Sequence, residues 1–288
     1  MTGRVVSGII AALVVLFLLL VNPTFTVALI AVAAAYGQFE YLSMFRPPAP
    51  RSIQISQAIF AFLLILLMAA SFATLFGAPG RGQVVFMEAR GPFLPFVVFY
   101  LAFVTNFVIW LWHYNRGMRF IEIATYSFGL LYLIIPLGLL TTLVLDGRWW
   151  PTALFVILSI SWTSDAGAYF TGKWFGEKQL APSISQRKTW EGLIGGAITG
   201  GISLCIFDMT IAPDFARVPV WVAFLVGFGG AAFAHLGDLS VSMIKRSREI
   251  KDSGRLIPYQ GGLLDKLDSF IFAIPVAFLA VVVKQILW

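Results

Sequence analysis

Charge is scarce in this chain. Only 12% of its 288 residues are Asp, Glu, Lys or Arg, 59% are hydrophobic, and the mean hydropathy is +0.87, a balance that a water-soluble domain of this length cannot bury. Cysteine is limited to Cys205, which excludes an intrachain disulfide and a thiolate metal cluster. The two histidines, His113 and His235, are too few for a histidine zinc site. No GxxxxGK[ST] or GxGxxG string occurs, so neither a P-loop nor a dinucleotide-binding turn is supported. The net charge of +6 is modest, and attraction to anionic lipid head groups accounts for it without nucleic acid.

Long apolar runs are abundant. Segments of about 17–25 residues, enough to cross a hydrocarbon core about 30 Å thick, recur along the chain. They predict an all-α, polytopic integral membrane protein with about nine spans and no soluble domain. The expected spans are 5–21, 23–42, 53–76, 92–112, 122–145, 149–169, 190–209, 218–236 and 269–287, punctuated by Asn22-Pro23, Pro47-Pro48, Pro79-Gly80 and Pro213. The first run is read as a retained helix, because no small-residue cleavage site follows Val21. Lys and Arg divide 15 to 5 between alternate sides of the nine-span arrangement. Basic loops stay in the cytoplasm, so the N-terminus and the loops at 170–189 and 237–268 are expected there, with the C-terminus outside.

The chain changes character near residue 160. Before it lies scaffold (1–160); after it, a region rich in polar side chains at span ends (161–288). Asp165, Glu191, Asp238, Asp265 and Asp268 all fall at one membrane level beside a group of Lys and Arg residues. Carboxylates so near hydrocarbon must be solvated, paired or metal-bound. Caps and ion pairs would account for any one of them. Five acids beside so many cations fit a polyphosphate with a divalent metal, which needs carboxylate oxygens and cations together. Gly192, Gly196 and Gly200 recur every four residues and read as a helix-packing face, whereas Gly261-Gly262 in a polar segment could let backbone approach a phosphate. His235 is read as a packing residue close to Asp238.

The run from Ser242 to Asp268, with Lys245-Arg246, Lys251-Asp252, Gly254, Pro258, Gly261-Gly262, Asp265 and Asp268, resembles the signature of the phosphatidate cytidylyltransferase (CDP-diacylglycerol synthase) family. Asp165, Tyr169, Gly172, Gly176, the stretch Ser185 to Gly192, and Gly237-Asp238-Leu239 are similar to that family too. The match is specific over about 165–270 and general, by hydropathy, before it. Gln260 stands where the family usually has His, Lys266 where it has Arg, and Gln186-Arg187 where it has Pro-Lys. Gln can hydrogen-bond but carries no proton or charge, and Lys lacks the bidentate fork of Arg.

The resemblance implies an enzyme of the bacterial inner membrane that joins CTP to phosphatidate, giving CDP-diacylglycerol and pyrophosphate for phospholipid biosynthesis. It implies Mg²⁺ held by Asp238 and Asp265, with Asp268 helping a second cation. Lys245, Arg246, Lys251 and Lys188 would receive phosphates, and Ser185 and Thr189 would donate hydrogen bonds. Gln260, Gly261, Gly262 and Lys266 would border the substrates, while Asp165, Glu191 and Asp252 would support them. A homodimer is compatible with this reading. Two other classes stay open: a relative acting on another lipid phosphate, and a transporter or flippase for an anionic lipid, whose acids would line a path near mid-span. Asp146-Gly147-Arg148 does not continue into the DGxxAR pattern of CDP-alcohol phosphotransferases.

Overall fold

The computed structural model describes residues 22–45, 48–76, 100, 104, 107–114, 118–146, 150–210, 219–254, 256 and 261–287. Seven helices among them are long and apolar enough to cross a membrane, and they coincide with the expected spans that begin at 23, 53, 122, 149, 190, 218 and 269. The spans expected at 5–21 and 92–112 lie wholly or largely outside the described residues. The chain divides into two compact units, Met1–Arg148 with Asp252–Leu264, and Trp149–Lys251 with Asp265–Trp288.

The first unit is built on α1 (Pro23–Ser43), α2 (Arg51–Phe76) and α3 (Phe120–Asp146). Asn22-Pro23 starts a helix: the Asn22 side chain accepts from the Thr24 N–H at 2.9 Å and Pro23 occupies the first turn, where its missing N–H costs nothing. The three helices meet through aromatic and amide groups. Tyr41 lies against Gly129, its hydroxyl donating to the Thr125 carbonyl at 3.0 Å. Gln38 donates to Gln57 Oε1 at 2.5 Å and to the Tyr126 carbonyl at 3.3 Å, with both glutamines fully buried. Such bonds replace the water that hydrocarbon cannot offer.

The second unit runs α4 (Trp150–Leu158), a π-turn (Ser159–Thr163), α5 (Ser164–Phe175), a hairpin of β1 (Gln179–Ala181) and β2 (Ser185–Thr189), then α6 (Trp190–Thr210), α7 (Val220–Ser247) and α8 (Leu264–Leu287). The glycine row of α6 is a packing face. A Cβ on Gly196 would stand 2.8 Å from the Ser164 carbonyl and 3.0 Å from Ala168 Cβ, and one on Gly200 would stand 2.6 Å from Ala231 Cβ. Glycine therefore lets α6 sit backbone-close to α5 and α7.

Three expected boundaries move. The polar segment 170–189 is the last part of α5 followed by an antiparallel hairpin, with Gln179 opposite Thr189 and Ala181 opposite Ser185. The segment 237–268 begins as helix, because α7 runs on to Ser247, and it ends as helix, because α8 starts at Leu264. Hydropathy marks where hydrocarbon stops. The helical hydrogen-bond ladder has no reason to stop there too.

Candidate active site

Four parts of the second unit bring their polar residues together: the first turns of α5, the hairpin, the start of α6 and the second half of α7. They enclose a cavity of about 260 Å³ lined by Asp165 and Tyr169 from α5, Arg187 and Lys188 from β2, and His235 and Asp238 from α7, with Thr189 and Gly192 at the α6 start. Acids and bases alternate around this hollow. Lys188 Nζ lies 2.5 Å from Asp238 Oδ2 and 3.5 Å from the His235 carbonyl. Asp165 Oδ1 stands 3.8 Å from His235 Nδ1. The π-turn just before α5 widens one helical turn and shifts the register of every side chain after it, Asp165 included.

The hairpin is held rigidly enough to present Lys188. Glu191 Oε2 accepts from the backbone N–H groups of Glu177 and Lys178 at 3.2 and 3.3 Å, and the Lys178 carbonyl accepts from the Trp190 N–H at 2.9 Å. Thr189 Oγ1 caps α6 by accepting from the Gly192 N–H at 3.1 Å. Arg246 spans from α7 to the β1–β2 turn, where its Nε donates to the Ile184 carbonyl at 3.3 Å, and its Nη1 donates to the Ile250 carbonyl at 3.1 Å. Glu191, Thr189 and Arg246 thus support the frame through backbone groups.

A second cluster forms where α7 meets α8. Gly237 permits it: a Cβ there would stand 3.2 Å from Phe272 Cβ and collide with the Asp268 carbonyl. This close approach sets the Asp268 carboxyl beside that of Asp238. Asp268 Oδ1 also accepts from the Ser269 N–H at 2.7 Å, and Ser242 Oγ, one turn along α7, reaches Asp238 Oδ1 at 3.4 Å. Lys245, a further turn on, pairs with Asp265 at 2.5 Å, both side chains about nine-tenths buried at 11% and 9% exposure.

Two neighbouring carboxyl groups repel unless they share a proton or a cation. Magnesium typically takes one or two carboxylates and completes its shell with water and phosphate oxygens. The Asp238–Asp268 pair therefore fits the donor set of such an ion, although no group of three acidic, histidine or cysteine ligands occurs among the described residues.

The expected site residues separate into groups. Asp165, Lys188, Thr189 and Asp238 line the cavity, and Asp268, Lys245 and Asp265 stand on the adjoining α7–α8 face. Ser185 opens β2, and Lys266 is half-buried in the first turn of α8. Lys251 and Asp252 are exposed beyond the end of α7. Gly261 takes the left-handed region at φ 90°, which glycine adopts freely, and Gly262 is buried. Gln260 lies outside the described residues. His235, read from sequence as packing, is buried at 5% exposure yet lines the cavity, and Tyr169 and Arg187 join it. Tyr169 shares its helix face with Asp165 at i, i+4 spacing, a signal visible in the sequence.

A family model described as "Cytidylyltransferase family" matches residues 2–284. The phosphatidate cytidylyltransferase of Synechocystis sp. is 30% identical over 318 residues, covering 98% of this chain and 96% of that protein. That of Bacillus subtilis is 28% identical over 275 residues, covering 96% and 95%. The Haemophilus influenzae protein of the same name is 40% identical over 126 residues, 42% of this chain and 43% of its own. With a match running from end to end of the chain, this membrane protein belongs to the cytidylyltransferase family.

Proposed function

We propose that the chain transfers a cytidylyl group from CTP to phosphatidate, forming CDP-diacylglycerol and releasing pyrophosphate at the cytoplasmic face of a bacterial inner membrane. The observation that carries this reading is the Asp238–Asp268 carboxyl pair set between Lys188 and Lys245 at the edge of a polar cavity. The 15-to-5 division of basic residues supports the cytoplasmic assignment.

The reaction is an in-line displacement. A phosphate oxygen of phosphatidate attacks the α-phosphorus of CTP, the bond from that phosphorus to the α,β-bridging oxygen breaks, and pyrophosphate leaves with the electron pair. The attacking oxygen is already anionic near neutral pH. No protein base has to remove a proton, so the work left to the chain is positioning and charge neutralisation. Asp238 and Asp268 are the groups that would hold Mg²⁺, which when bound supplies positive charge against the phosphate oxygens. Lys188 and Lys245 serve as counter-ions to Asp238 and Asp265, and their ammonium groups equally suit phosphate oxygens when substrate enters. Asp165 and His235 border the same hollow and orient its polar wall.

The test is a magnesium titration of CTP turnover on phosphatidate by purified wild-type, Asp238→Asn and Asp268→Asn proteins. Asparagine keeps the shape and removes the charge. Loss of about a hundredfold or more in turnover is expected for each variant, with folding intact by size-exclusion profile. Wild-type turnover and magnesium response in both variants would remove the carboxyl pair from the chemistry.

A further inference from the structure

Glu40 lies in α1, far in sequence from every candidate site residue, and it is buried at 4% exposure. A carboxylate inside a membrane bundle must be supplied with donors. It receives them from the segment that joins α7 to α8. Ser253 Oγ donates to Glu40 Oε1, and the Leu263 N–H donates to Glu40 Oε2 at 2.8 Å. The two oxygens thus hold opposite ends of one loop, with sequence separations of 213 and 223 residues.

The glycines of this loop are shaped around that carboxylate. A Cβ on Gly254 would stand 2.9 Å from Glu40 Cδ, and one on Gly262 would overlap the carboxylate and press on Ser253 Oγ. Gly261, immediately before, takes φ 90°, so the chain can turn back toward Glu40 at no steric cost. Leu264, the next anchor, is 1% exposed. Asp265 follows directly.

From this arrangement we infer that Glu40 is a positioning residue: it ties Ser253 to Leu263 and fixes, through the two peptide units after Leu263, the entry of Asp265 into α8. The reading rests on the transfer reaction proposed above. Its chemistry is hydrogen bonding to two donors, so charge is dispensable. Glutamine can reproduce it, its carbonyl accepting from the Leu263 N–H while its amide donates to Ser253 Oγ. Alanine cannot, and it leaves the Leu263 N–H without its acceptor.

The experiment uses full-length protein in detergent and two readouts, hydrogen exchange across 252–264 by mass spectrometry and the kcat and KM for CTP. Glu40→Ala is expected to raise exchange in that segment alone and to lower kcat about tenfold or more, since small misplacements of reacting groups are costly. Glu40→Gln should stay within about twofold of wild type in both readouts. Should Glu40→Ala not yield folded protein, Ser253→Ala removes one of the two bonds and is expected to raise exchange in the same segment. Wild-type exchange in Glu40→Ala or Ser253→Ala would overturn the clamp. Raised exchange with unchanged kcat would overturn its link to the reaction, as would a Gln variant as slow as Ala. If wild-type protein transfers nothing from CTP, the transfer proposal fails, while the exchange data still decide whether Glu40 holds the loop.

Discussion

Several carboxylates of the second unit stand beside a basic group, and Lys245–Asp265 is the most buried of these pairs. The pair is almost wholly buried at 2.5 Å. Removing one member takes a buried ion-pair partner from the other, which typically costs about 3–5 kcal/mol, whereas a hydrophobic pair of similar volume is often neutral or stabilising. Lys245→Ala and Asp265→Asn should therefore each lower the thermal midpoint in detergent. The double variant Lys245→Met with Asp265→Leu should recover most of that loss and still lack transferase activity, which separates the structural share of the pair from its share in the reaction. A double variant that is stable and active would reduce the pair to packing. Asp238 behaves differently, since it meets both Lys188 and Asp268 and is the group most exposed to a change in bound cation.

Elements were legible in proportion to how strongly lipid dictates them. The seven spans found among the described residues lie where hydropathy placed them, because a run of apolar side chains has one stable home. Span ends were less legible: α7 continues through Asp238, Ser242 and Lys245 with polar residues, and nothing in hydropathy distinguishes a polar helix from a polar loop. The β1–β2 hairpin was missed for a related reason, since Ser185–Thr189 carries charged and polar residues without an apolar alternation. The glycine row of α6 was readable as a packing face, because spacing by four is a property of one helix alone. Its partners were not. At Gly200 the added methyl of Ala would stand 2.6 Å from Ala231 Cβ and 3.1 Å from the Gly227 carbonyl, so Gly200→Ala should destabilise by about 1–3 kcal/mol. Gly229→Ala, which meets nothing within 4 Å, should be neutral or slightly stabilising through helix propensity. Equal thermal midpoints for the two variants would contradict the close packing of α6 on α7.

At the scale of the whole molecule, polar residues that lie apart in sequence meet only through the fold. The apposition of Asp238 and Asp268 depends on Gly237 letting α7 and α8 approach, and the role of Glu40 depends on a loop more than two hundred residues away. The acids were legible as a set because hydropathy puts them all at or near span ends; which of them touch was not, since span order does not state which helices are neighbours. The proposed function requires this chain to move a cytidylyl group onto a lipid phosphate at its cytoplasmic face. Its most direct test supplies CTP labelled on the α-phosphate to sealed inverted and right-side-out vesicles from cells overproducing the protein, with phosphatidate and Mg²⁺ present and vesicles lacking overproduction subtracted. Label is expected in the extracted lipid of inverted vesicles, with unlabelled pyrophosphate released in equal amount, and transfer in right-side-out vesicles only after they are made permeable. Lipid that stays unlabelled in both preparations after permeabilisation, or is labelled in intact right-side-out vesicles, would contradict it.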